Sequence, residues 1–109
     1  MWPEGSALFH VMLSPKVVQT IVSKQFGLTR FQLLGPRRLP RIVLARHLAM
    51  LLALEMVRGA SLQAVGCWFG GRHHTTVLHA RERMRRRIAA DRKFAKQVEK
   101  LRRIISAAV

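Results

Sequence analysis

The sequence predicts an all-α domain that contains a helix-turn-helix. Apolar residues recur at helical spacing along most of the chain, and no segment alternates apolar and polar residues as a half-buried strand does. Half of the 109 residues are hydrophobic, which is enough for one buried core. Glycines and prolines lie between the periodic segments, at the positions where helices are expected to end. We expect one domain over residues 14–109, preceded by a leader of unassigned order at residues 1–13.

The first two helices are predicted from their start and stop residues. Ser14 followed by Pro15 is a typical helix start, because serine accepts a bond from a free backbone N–H and proline suits the first helical position. Gly27 ends this helix. Thr29 begins a second, short helix, which stops at Gly35 and the proline after it.

A basic loop and a long central helix follow. Residues 36–41 read PRRLPR, and two prolines so close together exclude the interior of a helix or strand. This loop is therefore expected to be exposed, rigid and cationic. The helix from Ile42 to Val57 is apolar almost all round after Ala49, which is typical of the helix at the centre of a bundle.

The segment at about residues 61–90 has the pattern of a helix-turn-helix. Ser61 precedes a short helix in which Gly66 provides the small residue that close packing of a second helix requires. Gly70 and Gly71 supply a turn with positive φ. The second helix is predicted from near His73 to about residue 90. The last helix, from about residue 91, has one apolar face: Phe94, Val98, Leu101 and Ile105.

The charge indicates a polyanionic partner. Twenty Lys and Arg residues against five acidic ones give a formal net charge of +15, and a field of that size attracts nucleic acid. An anionic membrane surface and acidic proteins are the alternatives. The longest apolar run, residues 48–54, is far shorter than the roughly 20 residues of a membrane span. The lone Cys67 excludes an internal disulfide, so we expect a soluble protein of the cytoplasm, at the nucleoid.

Polar side chains at the start of the second motif helix are suited to reading base edges. In a helix-turn-helix this turn enters the major groove. The hydroxyl and methyl groups of Thr75 and Thr76, and the rings of His73 and His74, are chemically suited to that contact. The alternative is that they are ordinary capping and surface residues.

Catalytic and metal sites are not predicted. The five histidines do not share one helical face with the lone cysteine, and the acidic residues are few and scattered. We therefore expect no enzyme activity, no metal and no cofactor. Cys67 and Trp68 are expected to pack in or near the core.

The string GGRHHTTVLHA at residues 70–80 closely resembles the C-terminal DNA-binding domain of the bacterial replication initiators, the DnaA family. The resemblance extends over roughly residues 17–103. It includes the basic loop and the segment RHLAM at residues 46–50. It implies a helix-turn-helix domain that binds a short, asymmetric, A/T-rich box in duplex DNA at replication origins and some promoters.

The resemblance also implies roles for individual residues. Arg38 matches an arginine that enters the minor groove, and the second motif helix supplies the major-groove readers. The residues expected to read bases are Arg38, His73, His74, Thr75 and Thr76. The residues expected to contact the DNA backbone are Arg37, Arg41, Arg46, His47, Ser61, Leu62, Gln63, Arg72 and Arg81.

The chain departs from the family pattern at several places. His73 stands where the family usually has Asp, so the preferred base at that position is expected to differ. Leu54 replaces a basic residue, and the loop at residues 57–61 is one residue longer. This sequence also has no phosphate-binding loop of the family's ATPase domain, so it is expected neither to bind ATP nor to melt an origin.

Other functions remain open at this point. A transcription regulator and a charge-driven, non-specific nucleic-acid binder are alternatives within DNA binding, and a protein-interaction module is one outside it. We expect a monomer that competes or acts with a full-length initiator. Protonation of His73 and His74 near phosphate predicts pH-sensitive binding.

Overall fold

A computed structural model describes residues 13–108, and within this range the chain is all-α, as predicted. Most of the predicted leader, residues 1–12, lies outside the described residues. Six helices follow one another in the described range: α1 (Pro15–Gln25), α2 (Arg30–Leu34), α3 (Pro40–Met56), α4 (Leu62–Trp68), α5 (His74–Ala90) and α6 (Arg92–Ser106).

Polar side chains cap these helices at the predicted Ser14 and Thr29, and also at Asp91. The hydroxyl of Ser14 accepts a hydrogen bond from the backbone N–H of Val17, with 3.3 Å between the heavy atoms. Thr29 and Gln32 form a reciprocal capping box at α2, which satisfies two free N–H groups. At α6, the carboxylate of Asp91 accepts from the backbone N–H three residues later, at 3.1 Å.

The central helix starts earlier than predicted. We expected Ile42 as its first residue, but α3 begins at Pro40 and ends at Met56. Proline is favoured at the first helical position, because that residue needs no N–H partner and its fixed φ suits the helix. Arg41 thus belongs to the first turn of α3, and the basic loop shortens to residues 36–39.

The core forms around α3, which packs against α1, α2, α4 and α5. Its residues from Leu48 to Ala53 are almost completely buried, which confirms the prediction that α3 is the central helix. Helix α5 packs against α3, α4 and α6, and α6 also contacts α1. The predicted apolar face of α6 is buried over its full length: Phe94, Val98, Leu101 and Ile105.

The prediction that Cys67 and Trp68 pack in or near the core is confirmed for Trp68, which is half-buried against the core, and is wrong for Cys67, which is exposed. The face of α4 that enters the core consists of Val65 and Gly66, with Phe69 just beyond the helix. Cys67 lies between these positions and therefore points to the other side of a helix with 3.6 residues per turn. Among the described residues, no helix is long and apolar enough to cross a bilayer.

Candidate nucleic-acid interface

The turn between α4 and α5 is built on three glycines. A Cβ atom added to Gly66 would lie 2.2 Å from the backbone oxygen of Arg72, so the chain approaches here as closely as only glycine allows. The N–H of Arg72 donates to the carbonyl of Gly66 at 2.9 Å, which fixes the approach. Gly70 and Gly71 adopt φ values of 82° and 75°. The predicted helix-turn-helix at residues 61–90 is therefore observed, as α4, the turn and α5.

The N-terminal turn of α5 presents polar side chains to solvent. His73 is the N-cap, and its Nδ1 accepts from the backbone N–H of Thr75 at 3.2 Å. The same Nδ1 lies 2.8 Å from the Thr75 hydroxyl. The rings of His73 and His74 stack with 4.2 Å between their centroids. His73, Thr75 and Thr76 are exposed and His74 is half-buried, so this turn is free to contact a ligand.

The basic loop carries its arginines on the surface. Arg37 and Arg38 in the loop, and Arg41 in the first turn of α3, are all exposed. Leu39, beside them, is 57% exposed. The expectation of an exposed, cationic loop at residues 36–39 is therefore confirmed.

An open groove of about 700 Å³ runs between the basic loop and α5. Arg38 lines one wall, and Thr76 and Arg83 line the α5 side. The predicted DNA contacts that line the groove are Arg38, Arg46, His47, Arg72 and Thr76. The other predicted contacts lie outside its lining: Arg37, Arg41, Ser61, Leu62, Gln63, His73, His74, Thr75 and Arg81.

The N-terminus of α4 is a separate candidate for phosphate contact. The Ser61 hydroxyl caps the helix by accepting from the backbone N–H of Ala64 at 3.0 Å. Gln63 is exposed and Leu62 is half-buried. The first N–H groups of a helix have no partner within the helix, so those of Leu62 and Gln63 are available to an anion.

Arg46 and Arg72 have protein partners instead of the predicted exposure to DNA. Arg46 is 5% exposed, and its guanidinium donates to backbone carbonyls at the end of α2 and in the basic loop. Arg72 is half-buried, and it donates to carbonyls at the ends of α2 and α4. Their placement favours a role in holding the site together over direct contact with phosphate.

Arg83 is a groove residue that the sequence prediction did not single out among the arginines of α5. It is exposed and lines the groove, whereas the predicted Arg81 is half-buried and pairs with Glu82 at 3.3 Å. The helical period carries the signal that was overlooked. Arg83 follows Thr76 by seven residues, which is about two turns, and so shares its face of α5.

His47 is uncharged at neutral pH. Its pKa falls from 6.5 to about 4, mainly because burial disfavours the charged ring. Guanidinium groups nearby lower the pKa further: Arg83, Arg46 and Arg72. His47 therefore offers the groove a neutral ring with hydrogen-bonding nitrogens and adds nothing to the positive charge. Among the described residues, no three His, Cys, Asp or Glu side chains are grouped as metal ligands.

Comparison with known proteins identifies the same segment. The family model of the bacterial dnaA protein helix-turn-helix matches residues 15–84. The chromosomal replication initiator protein DnaA of Brucella suis is 42% identical over 89 residues, covering 82% of this chain and 18% of the relative. That of Latilactobacillus sakei is 44% identical over 79 residues, covering 72% of this chain and 17% of the relative.

A relative of lower identity is covered to a similar extent. DnaA of Corynebacterium jeikeium is 38% identical over 91 residues, covering 84% of this chain and 15% of the relative. The chain thus spans less than a fifth of the length of these relatives. The family model covers most of the described helices, including both helices of the motif. The chain therefore belongs to the bacterial DnaA helix-turn-helix family.

Proposed function

We propose that the chain binds duplex DNA at the A/T-rich boxes used by chromosomal replication initiators, and that it acts in the initiation or regulation of replication. One observation carries the proposal: a single basic groove has Arg38 of the loop on one wall and Thr76 of α5 on the other. This arrangement lets one molecule contact the major groove and the adjacent minor groove together. Membership of the DnaA helix-turn-helix family supports the same function.

The major-groove contact is assigned to the first turn of α5. Thr75 and Thr76 each present a hydroxyl for a base edge and a methyl group for the thymine methyl. His74 and His73 extend this surface. Because the Nδ1 of His73 accepts from the Thr75 N–H, its Nε2 is the ring nitrogen left to face the bases. In the neutral ring that nitrogen is a hydrogen-bond donor.

The minor-groove contact is assigned to Arg38. Its side chain is exposed on a short loop beside the groove, and an arginine inserted into a narrow A/T-rich minor groove meets an enhanced negative potential. Contacts to the DNA backbone come from Arg37, Arg41 and Arg83, and from the N–H groups at the start of α4. Arg81 and His47 are proposed as further backbone contacts. No cofactor is needed for binding of this kind.

The test is binding of the chain to a labelled duplex carrying an initiator box and to a scrambled duplex, at near-physiological salt. We expect a preference for the box of about a thousandfold or more, the lower range for specific binders. Thr75→Ala and Arg38→Ala should each remove most of the preference. Arg85→Ala is the matched control, because Arg85 is an exposed arginine about 180° around α5 from Thr76 and should leave the preference unchanged.

Equal binding to both duplexes, with affinity that falls steeply as salt is added, would replace this proposal by a charge-driven, non-specific binder. The role in replication has its own test. The chain is added to a full-length initiator at an origin duplex, and we expect it to displace the initiator from the boxes. Box-specific binding that leaves initiator occupancy unchanged would favour a transcription regulator.

A further inference from the structure

Two arginines, the buried Arg46 and the half-buried Arg72, join the basic loop to the helix-turn-helix. Arg46 of α3 donates from Nε to the carbonyl of Leu33 at 2.7 Å. Its Nη2 donates to the carbonyls of Gly35 at 2.8 Å and Arg37 at 3.0 Å. Arg46 thus holds both the end of α2 and the start of the basic loop.

Arg72, in the turn before α5, holds the same segment from the other side. Its Nη1 donates to the carbonyl of Leu34 at 3.0 Å and to that of Phe69. Its Nη2 donates to the carbonyl of Gly35 at 2.7 Å. The oxygen of Gly35 therefore accepts from both arginines. We call this unit the arginine clasp: the side chains of Arg46 and Arg72 with the carbonyls of Leu33, Leu34, Gly35, Arg37 and Phe69.

The chemistry of the clasp requires arginine. Leu33, Leu34 and Phe69 lie at the C-terminal ends of α2 and α4, where carbonyls lack helical partners and the helix dipole favours a cation. A guanidinium offers five donors in a rigid plane, whereas an ammonium group offers a single compact centre. Lysine would keep the charge but could not span carbonyls on separate segments.

The clasp concentrates positive charge beneath the groove. Burial lowers the pKa of Arg46, and the charges of Arg72 and Arg38 lower it further. Burial and the charge of Arg38 likewise lower the pKa of Arg72. Both groups remain cations at neutral pH, because a guanidinium is not deprotonated in proteins. Arg38 therefore lies near enough to both clasp arginines to interact with their like charge.

We propose that the arginine clasp positions Arg38 relative to α5, so that loop and helix engage DNA at a fixed spacing. This inference rests on the proposed function for its effect on DNA. It assigns Arg46 and Arg72 a positioning role in place of the phosphate contacts that the sequence predicts. The clasp connects the basic loop to α5 through hydrogen bonds to three chain segments. The loop itself comprises only residues 36–39, which limits how far it can move relative to α5.

A double-mutant cycle with Arg38→Ala and Arg46→Lys tests the proposal in the intact chain. Each single variant is expected to lower affinity for the box duplex by about 10- to 100-fold, the range of a lost specific contact. The double variant should be little worse than either single one, because a mispositioned Arg38 has no contact left to lose. Arg85→Lys is the matched control, an exposed arginine on the side of α5 away from Thr76, and should leave affinity within about twofold. Losses that simply multiply in the double variant would overturn the proposal.

A second readout separates positioning from general damage to the fold. Inosine·cytosine pairs present the minor-groove pattern of A·T and the major-groove pattern of G·C. For Arg46→Lys, we expect a box that carries inosine·cytosine pairs next to Arg38 to be bound with no higher affinity than a box that carries G·C pairs at the same positions. Discrimination among the bases contacted by α5 should persist. Parallel loss of both kinds of discrimination would show that Arg46 only stabilises the fold.

Amide hydrogen exchange of the free protein tests the clasp without DNA, and so separates its failure from failure of the proposed function. In Arg46→Lys the amides of Leu33 and Gly35, which are hydrogen-bonded at the end of α2, should exchange at least about tenfold faster, while those of α5 stay protected. Unchanged exchange of these two amides would overturn the clasp even if the box is bound specifically. Faster exchange of the two amides without box preference in the wild-type chain would retain the clasp and reject the proposed function.

Discussion

At the scale of single residues, Gly66 is the most constrained position of the helix-turn-helix. The backbone oxygen of Arg72 occupies the place of its Cβ, so Gly66→Ala must push a turn that is also fixed by hydrogen bonds. We expect a loss of at least about 3 kcal/mol in the free energy of unfolding, the upper part of the range for overpacking. Denaturant unfolding followed by circular dichroism measures it.

The neighbouring position provides the control for this prediction. Cys67 lies on the same helix and is exposed, so Cys67→Ala should change the free energy of unfolding by no more than about 0.5 kcal/mol. If both variants are equally stable, the turn moves away from the added methyl group, and the close approach at Gly66 does not define the fold.

His47 makes stability depend on pH. Its pKa is about 4 in the folded chain and 6.5 ordinarily, so between these values the unfolded chain binds a proton that the folded chain does not. Stability therefore rises with pH through this window and is lost as pH falls through it. After allowance for solvent screening of a half-buried ring, the loss is on the order of 1–3 kcal/mol.

The variant His47→Gln isolates that contribution. Unfolding curves of both proteins between pH 4 and 7 should show a stability difference that changes with pH and levels off above about pH 7. Parallel curves would mean that His47 has the same pKa in the folded and the unfolded chain, despite its burial and the guanidinium groups around it.

Predictions for single residues were correct where the geometry of the backbone alone determines which residue type fits. Gly66, Gly70 and Gly71 were identified because a tight turn between two helices needs small or positive-φ residues whatever surrounds it. From the sequence, Arg46 and Arg72 are predicted to contact phosphate, because a sequence shows the charge of an arginine and not the hydrogen-bond acceptors around it in the fold. Those acceptors are backbone carbonyls, which meet the two arginines only once α2, α3 and α4 have packed.

At the scale of the helix, the register of α5 decides which of its arginines line the groove. Arg83 lines the groove on the face of Thr76, whereas Arg85 is exposed on the opposite side. We expect Arg83→Ala to weaken binding to box and scrambled duplexes alike and to reduce the slope of log affinity against log salt by about 1, as for one lost phosphate contact. Titrations at several salt concentrations give that slope.

Arg85→Ala removes the same charge from the same helix and should leave the slope within error of the wild type. An equal change in both variants would show that α5 contributes only a diffuse field. A loss confined to the box duplex in Arg83→Ala would instead make Arg83 a base reader.

Helix boundaries were predictable where a side chain caps the helix. Ser14, Thr29 and Asp91 each accept a bond from the first turn of the helix that follows, and those starts were placed correctly. The start of α3 was missed by two residues because it has no side-chain cap, and proline is compatible with both a loop and a first helical turn.

At the scale of the whole molecule, α6 completes the core although it lies beyond the residues matched by the family model. Its buried residues, Phe94, Val98, Leu101 and Ile105, cover α5 and α1. Burying each is worth about 1.5–3 kcal/mol, and the sum of four is comparable with the ~5–15 kcal/mol stability of a small domain. Shortening the chain after Ala90 is therefore expected to abolish cooperative thermal unfolding.

Point variants of α6 give the same test without removing backbone. Phe94→Ala should cost about 3–5 kcal/mol, because it leaves a cavity beneath Arg87, whose guanidinium lies 4.6 Å from the ring centroid. Lys96→Ala, an exposed position on the same helix, should cost less than about 0.5 kcal/mol.

If the shortened chain still unfolds cooperatively and binds the box, the core around α3 is sufficient and α6 only shields it. If it does not, the groove depends on α6, a helix that packs against α5 and lies outside the groove lining.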